Sequence, residues 1–429
     1  MKSLLAVSAF VASALAAAVP ASPATRVIRV PTNPNNHAKI VQTIKDLDLE
    51  CWKFPDKAGL NADVIVSPEQ ASAFQAATKD MEVQVMHEDM DASIKAEAAG
   101  MTDHFPNKDL SSTGPWYKSY HTYHDHEKYL HHLQKKYPKN SAIVVAGKSY
   151  EGRDVRALHL WGKQKGKPAV VFHGTIHARE WITTMVVEYT MVKLLEETTE
   201  VKGTATLDNF DFFIFPVTNP DGFVFTQKSL AREHRNWRKN RQPTPDPKCI
   251  GTDPNRNYPA YWNGTHSSTD PCSDSYRGPS AGSATEVKIQ TEFMLDLAKK
   301  PAGLISYIDW HSYGQLFMTP YAYNCDKVPA NSKKQLELAQ VFADAFAAPF
   351  NTTLRVGTTC KTIYPISGDS ADWANDVANI TYPFAPELRD RGRYGFFLPP
   401  DQILDSGKEA WDGVKALFAA MAKEMPARG

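Results

Sequence analysis

Short apolar runs alternate with amphipathic, helix-length stretches from about residue 120 to the end of this 429-residue chain. The runs that predict strands are 142–145, 155–161, 169–172, 210–216, 304–309 and 382–385. The stretches that predict helices are 126–137, 182–195, 284–297, 332–347 and 406–421. Strands that alternate with helices over so long a span favour an α/β domain with a mixed, mostly parallel central sheet flanked by helices.

The segment 19–111 has a pattern of its own. Strand-like runs occur at 64–66 and 83–86, and the helical stretch between them opens with Ser67 as N-cap and a proline at its first position. The run 101–115 is polar and rich in turn residues, which predicts an exposed linker where proteases cut, with Lys108 one of several possible cut points. The sequence therefore predicts a small α/β unit, 19–111, ahead of a large domain, 112–429.

The first 18 residues have the form of a secretory signal peptide: a positive charge at Lys2, an apolar Ala-rich stretch, and small residues before the cleavage point. A membrane anchor is the alternative, but about 15 modestly apolar residues are too few to span a bilayer. We therefore expect a secreted, extracellular protein without a membrane partner. Because Lys plus Arg and Asp plus Glu both number 48, the net charge gives no reason to expect nucleic acid as a partner.

Secretion decides how the cysteines are interpreted. The five are Cys51, Cys249, Cys272, Cys325 and Cys360. In an oxidising compartment the last four can form two bridges in any of three pairings, and Cys51 is left over. Three glycosylation sequons, at Asn263, Asn351 and Asn379, also fit secretion.

Two of the predicted strands lead into histidines. His177 and Glu180 follow the first strand and stand three residues apart, while His311 follows a second strand. Ligand sites of open α/β sheets lie at the carboxyl ends of strands, and two histidines with one carboxylate are a typical ligand set of catalytic zinc. The alternatives are a capping loop with a solvated Glu180, and a His311 that merely caps its strand.

A third strand-like run ends in Glu387, which could be a general base beside a metal or a surface charge paired with Arg389 or Arg391. Arginines in the runs 236–241 and 253–258 could clamp a carboxylate in bidentate fashion, although a solvated basic loop is the commoner fate of such runs.

Taken together, these motifs resemble a known family. The chain contains, in this order, HAREW, PVTNPDGF, NWRKNR, DPNRNY, WHSYGQL, IYPISGDSADW and PELRDRGRYGF. From about residue 120 to 421 it resembles the zinc metallocarboxypeptidases of the carboxypeptidase A and B type. The earlier segment resembles, with weaker motif support, the activation segment of the secreted proenzymes. After the signal peptide expected at 1–18, the resemblance implies an activation prosegment at 19–111 and a catalytic domain at 112–429.

The resemblance also implies roles for individual residues. One Zn²⁺ per chain would be held by His177, Glu180 and His311, with Asp253 orienting His177 through its other ring nitrogen. Glu387 would be the general base toward a zinc-activated water, and Arg238 would stabilise the oxyanion. Asn255, Arg256 and Tyr364 would hold the free C-terminal carboxylate of the substrate. Positions that line further subsites are matched by Arg179, Ser312, Tyr313 and Phe396. The implied disulfides are Cys249–Cys272 and Cys325–Cys360.

The resemblance further implies partners and a specificity. The substrates would be C-termini of peptides and proteins, an activating protease would remove the prosegment, and the enzyme is expected to be a monomer. Ala371 stands at the position that separates the subtypes, so we expect release of neutral aromatic or aliphatic residues. The alternative is a carboxypeptidase B-like enzyme that selects Lys or Arg through Asp369. A catalytically dead, carboxylate-binding relative is disfavoured because every implied zinc ligand and Glu387 are present.

Overall fold

The computed structural model describes residues 23–101, 109–200 and 205–424, so the predicted signal peptide and Lys108 lie outside the described residues. The backbone contacts divide the chain between Met90 and Asp91 into a smaller and a larger unit.

The smaller unit is built on a four-stranded antiparallel sheet with the strand order β2-β3-β1-β4. Its strands are β1 Arg26–Pro31, β2 Cys51–Lys53, β3 Asn61–Val66 and β4 Gln84–His87. Its helices are α1 His37–Asp46 and α2 Pro68–Thr78, and α3 Met90–Glu97 begins at its end. The predicted start of α2 is confirmed, because Ser67 and Gln70 form a capping box there.

The larger unit is organised around an eight-stranded sheet with the order β11-β10-β12-β9-β7-β8-β6-β5. Its strands are β5 Ser141–Lys148, β6 Asp154–Leu160, β7 Ala169–His173, β8 Asp211–Phe215, β9 Leu304–Asp309, β10 Leu316–Thr319, β11 Arg355–Thr358 and β12 Tyr382–Glu387. The middle of the sheet, β12-β9-β7-β8, is parallel, and the pairs β10–β12, β6–β8 and β5–β6 are antiparallel. The predicted mixed, mostly parallel sheet is confirmed.

Helices cover both faces of this sheet. They are α4 Tyr123–Lys136, α5 Trp181–Glu200, α6 Pro220–Thr226, α7 Arg232–Arg235, α8 Thr285–Ala298, α9 Ser332–Ala347, α10 Thr359–Thr362, α11 Ser370–Asp376 and α12 Ile403–Glu424. Successive strand residues alternate between two cores: Val170 and Phe172 of β7 join α5 and α12, whereas Ala169 and Val171 join α8. A strand buried on both faces must be apolar throughout, which is why β7 shows no polar alternation.

Both predicted disulfides are present, with Cα–Cα distances of 4.9 Å for Cys249–Cys272 and 5.0 Å for Cys325–Cys360. Cys51 lies in neither bridge; its Sγ is 3.6 Å from the carbonyl oxygen of Leu49.

The prediction that residues 101–115 form an exposed linker is wrong for part of the stretch that follows residue 108. Leu110 and Ser112 are buried. The reason is that the backbone N–H and hydroxyl of Ser112 donate to the carboxylate of Glu196 at 3.0 and 2.7 Å, which ties this stretch to α5.

Candidate active site

The first two site residues lie in the tight connection between β7 and α5. Gly174 begins it, and a Cβ there would lie 2.6 Å from the carbonyl oxygen of Pro216, so only glycine fits beside the neighbouring chain. Thr175 follows with a φ of 54°, and its N–H donates to the hydroxyl of Thr183 in the first turn of α5. This connection places His177 and Glu180 at the carboxyl edge of the parallel strands, both buried.

His311 reaches the same point from the end of β9. The Nδ1 atom of His177 lies 2.8 Å from Oε1 of Glu180, and Nδ1 of His311 lies 3.3 Å from Oε2 of the same carboxylate. The two Nδ1 atoms are 3.2 Å apart. The structure thus brings together all three predicted metal-ligating residues, and their potential ligand atoms converge on one buried point.

The surroundings of the two histidines indicate that this point suits a cation. Nε2 of His177 lies 3.2 Å from Oδ1 of Asp253, and Nε2 of His311 lies 3.2 Å from Oδ2 of Asp309. A carboxylate at Nε2 favours the proton on that nitrogen and leaves the lone pair on Nδ1. Two lone pairs and a carboxylate then face each other in a buried site, an arrangement that a bound metal ion would stabilise. Two imidazoles and one carboxylate suit zinc.

Asp253 connects the metal-ligating set to Arg238. Its Oδ2 atom accepts hydrogen bonds from Nε and Nη2 of Arg238 at 3.0 and 2.8 Å. Burial opposes ionisation of Asp253, but Arg238 and His177 hold the pKa of this carboxyl well below its usual range. The same carboxylate caps the 3-10 turn that carries Asn255 and Arg256, because its Oδ1 accepts from the N–H of Asn255 at 3.0 Å.

The side chains of that turn are held by backbone groups. Nε of Arg256 donates to the carbonyl oxygen of His266 at 3.0 Å, and Oδ1 of Asn255 accepts from the N–H of Ser370 at 2.9 Å. The ring of Tyr364 lies with its centroid 5.4 Å from that of His266, which places it on the same side of the site as Arg256. A guanidinium and an amide, both buried, are therefore set in fixed positions.

The residues predicted to line further subsites form a second group. Arg179 stacks over the ring of Phe396 at 4.3 Å, and Tyr313 meets the same ring edge-on at 4.9 Å. The N–H of Ser312 donates to Oε2 of Glu180 at 3.1 Å, which joins this group to the metal-ligating residues.

Glu387 ends β12 beside His311. The N–H of His311 donates to the carbonyl oxygen of Pro386, and the N–H of Leu388 donates to the carbonyl oxygen of His311, both at 2.9 Å. This bridge pairs His311 with Glu387. Arg389, which could have paired with Glu387 as a surface charge, instead donates through Nε to the buried carboxylate of Glu409 at 2.9 Å.

Asp369, the acidic residue that could select Lys or Arg, lies directly before α11. Asp369 is the N-cap of α11, and its Oδ1 accepts from the N–H groups of Ala371 and Asp372 at 2.9 and 3.1 Å. All three residues are buried. Burial raises the pKa of Asp369, and the capping hydrogen bond from Asp372 opposes that shift.

Sequence reasoning missed two residues that touch the site, Asp309 and Ser370. Asp309 could have been found, because it is the last residue of β9 and stands two positions before His311, and alternate residues of an extended chain share a face. Ser370 gave no such signal, since its partners are far away in the sequence.

Comparison with known proteins agrees with the geometry. A family model described as zinc carboxypeptidase matches residues 126–413, and one described as carboxypeptidase activation peptide matches residues 28–97. The metallocarboxypeptidase A of Arthroderma otae is 45% identical and covers 99% of this chain and 100% of its own length. Mouse carboxypeptidase A4 is 35% identical over 87% of each chain.

Solved structures give the same result. The structure of thrombin activatable fibrinolysis inhibitor superposes with a TM-score of 0.82 at 25% identity, covering 93% of this chain and 99% of its own. The carboxypeptidase A of Helicoverpa armigera superposes with a TM-score of 0.78 at 26% identity, covering 94% and 98%. The chain therefore belongs to the zinc carboxypeptidase family, as a carboxypeptidase A-like peptidase with an activation peptide.

Proposed function

We propose that this protein is a zinc-dependent exopeptidase that hydrolyses the last peptide bond of its substrates and releases neutral aromatic or aliphatic residues. One zinc ion per chain would be held by His177, Glu180 and His311. The observation that supports this most strongly is the convergence of two Nδ1 atoms and one carboxylate at a buried point, with a further carboxylate behind each histidine.

The chain's own residues supply most of the remaining chemistry. Zinc, when bound, would act as a Lewis acid toward the scissile carbonyl and lower the pKa of water. Glu387 would take a proton from the attacking water and pass it to the leaving amine as the C–N bond breaks. Arg238, held by Asp253, would donate hydrogen bonds to the developing oxyanion.

Recognition of a free C-terminus needs donors for a carboxylate at the far end of the cleft. Asn255 and Arg256 are buried and fixed, and Tyr364 lies nearby. A guanidinium binds a carboxylate with charge-assisted hydrogen bonds, and only the last residue of a peptide presents one there. This arrangement favours exopeptidase over endopeptidase activity.

The proposed side-chain preference depends on the role of Asp369. Its Oδ1 caps α11, and Ala371 brings no charge to the position that reads the tip of the substrate's side chain. A carboxylate that serves as an N-cap does not face a substrate cation with that oxygen.

The test is kcat/KM for peptides that end in Phe, Leu, Lys or Arg, measured after proteolytic activation of the wild type and of Asp369→Asn. Asn is as good an N-cap as Asp, so we expect both proteins to prefer Phe and Leu. A wild-type preference for Arg that disappears in the Asn variant would instead assign the carboxypeptidase B-like activity to Asp369. No cleavage of any of the four peptides would reject the exopeptidase assignment.

The setting of the activity is also a proposal. We expect a secreted, monomeric proenzyme, with residues 19–111 removed by an activating protease. Among the residues described, no helix is both long and apolar enough to cross a membrane. The three sequon asparagines, Asn263, Asn351 and Asn379, are all exposed, as glycan attachment requires.

A further inference from the structure

The two histidines of the candidate metal site are supported in the same way. Asp253 lies behind His177, and Asp309 lies behind His311, each with a carboxylate oxygen 3.2 Å from Nε2. Both aspartates are completely buried. The first pairing follows from the family resemblance, whereas the second rests on this structure alone.

Asp309 is itself fixed from the other side. Its Oδ2 accepts a hydrogen bond from the hydroxyl of Ser370 at 2.6 Å. Ser370 begins α11, and its N–H donates to Oδ1 of Asn255. One serine therefore connects the loop beside the substrate pocket, the carboxylate-binding turn and the support of His311.

Burying the carboxylate of Asp309 costs free energy, which indicates that its charge has a functional role. Its Oδ1 atom is buried and has no hydrogen-bond partner among the residues that the structure describes. A buried carboxylate with an unsatisfied oxygen is expensive, and an apolar residue would pack in a strand core without that penalty. The group that gains from the charge is the imidazole at Oδ2.

We propose that Asp309 is a positioning residue that holds His311 ready to bind metal, and that Ser370 holds Asp309; the proposal rests on the zinc site proposed above. A carboxylate at Nε2 fixes the ring orientation, selects the tautomer with a lone pair on Nδ1, and makes that nitrogen a stronger ligand. Asp309 need not contact substrate or metal for this role.

The experiment measures the zinc dissociation constant of the full-length protein by competition with a chelator of known affinity. We expect both Asp309→Asn and Asp253→Asn to bind zinc about 10- to 100-fold more weakly than the wild type. Ser370→Ala should show a smaller loss, because Asp309 keeps its charge but loses its anchor.

The matched control is Asp211→Asn on β8. Asp211 is a buried aspartate whose Oδ2 likewise lies 3.2 Å from Nε2 of a histidine, His159, away from the candidate site. The zinc dissociation constant of this variant should equal that of the wild type, even if its stability falls.

Each outcome decides one point. Wild-type affinity for zinc in folded Asp309→Asn would overturn the positioning role. If that variant does not fold, Ser370→Ala decides, and its unchanged zinc affinity would overturn the role as well. A wild-type protein that binds no zinc would instead reject the zinc site itself, so the two proposals fail in distinguishable ways.

Discussion

Three basic side chains surround the buried carboxylate of Asp253. Its oxygens lie 3.2 Å from Nε2 of His177, 2.8 Å from Nη2 of Arg238 and 4.0 Å from Nη1 of Arg256. A proposed metal ligand, a proposed oxyanion donor and a proposed carboxylate anchor thus share one support. Because these groups converge, we expect their substitutions to be non-additive in catalysis.

Glu387 and His311 are neighbours across a strand end, but we expect substitutions of the two residues to have different effects. Replacing Glu387 by Gln keeps the size of the side chain and removes its ability to accept a proton. We expect kcat to fall by about two to four orders of magnitude while one zinc per chain is retained. His311→Ala should lose both zinc and activity. Metal analysis and steady-state rates of the two purified variants after proteolytic activation make the comparison, and near-wild-type turnover of Glu387→Gln would reassign the base.

The residues of the candidate site were easier to propose from the sequence than the residues that support them. Short motifs at strand ends contain the proposed ligands and the proposed base, which are His177, Glu180, His311 and Glu387. The bond between Ser370 and Asp309 joins residues 61 apart, and nothing in either local sequence requires it. Such partners become visible only when the sheet brings distant strand ends together.

The segment before α4 packs as an aromatic stack. The indole of Trp116 lies between His121, at a ring-centroid distance of 3.6 Å, and Tyr129 of α4, at 4.6 Å. Nε2 of His121 lies 2.7 Å from the carbonyl oxygen of Trp116, and the Nε1–H of Trp116 donates to the buried carboxylate of Glu188. These contacts anchor the segment on α4 and α5.

This stack should make stability depend on pH. Burial, with His126 nearby, lowers the pKa of His121 from 6.5 to about 4, although the bond to Trp116 and the charge of Asp125 oppose the shift. Between pH 6.5 and 4 the unfolded chain therefore binds a proton that the folded chain excludes. The stability that the neutral, buried His121 contributes is therefore complete above pH 6.5. It is lost as the pH falls from 6.5 to 4, which lowers the free energy of unfolding by up to roughly 3 kcal/mol.

Urea denaturation between pH 7.5 and 4 checks this prediction. His121→Gln keeps a donor for the carbonyl oxygen of Trp116 but does not titrate, so its unfolding free energy should fall less steeply with acidification. The difference between the two proteins above pH 7 measures the lost stacking and serves as the baseline. Parallel curves for the variant and the wild type would contradict the assignment.

The long elements were predictable, and two short strands at one end of the large sheet were not. The predicted helices 284–297 and 332–347 match α8 and α9 within one residue at each end, because their apolar periodicity extends over several turns. The strands β10 and β11 have only four residues each, and the prediction missed both. They are held by pairing with each other and with β12, which no local pattern encodes.

A buried ion pair holds the end of α3, which from Asp91 onward belongs to the larger unit. Glu97, the last residue matched by the activation-peptide model, accepts from Nε and Nη2 of Arg235 at 2.6 Å each, and both side chains are buried. Arg235 also donates to the carbonyl oxygens of Arg179 and Phe396, two residues predicted to line subsites. Cleavage that removes α3 would take away the only carboxylate bonded to Arg235 among the described residues.

We therefore expect Glu97→Gln to lower the stability of the proenzyme and to leave the activity of the mature enzyme unchanged. Burial raises the pKa of Glu97 to about 7, so the comparison belongs at pH 8, where the carboxylate is charged. Removing one partner of a buried pair leaves the other charge buried and unpaired, which lowers the free energy of unfolding by about 3–5 kcal/mol. A less stable contact of α3 should also speed activation by limited proteolysis.

The matched control is Asp91→Asn. Asp91 is on α3, like Glu97, but its ion pair with Arg232 is exposed, so this variant should change the free energy of unfolding by less than about 1 kcal/mol. Urea denaturation and the time course of proteolytic activation measure both effects, and kcat/KM after complete activation should agree between variants because neither residue remains. Equal behaviour of the two variants as proenzymes would show that the buried pair does not hold α3 in place.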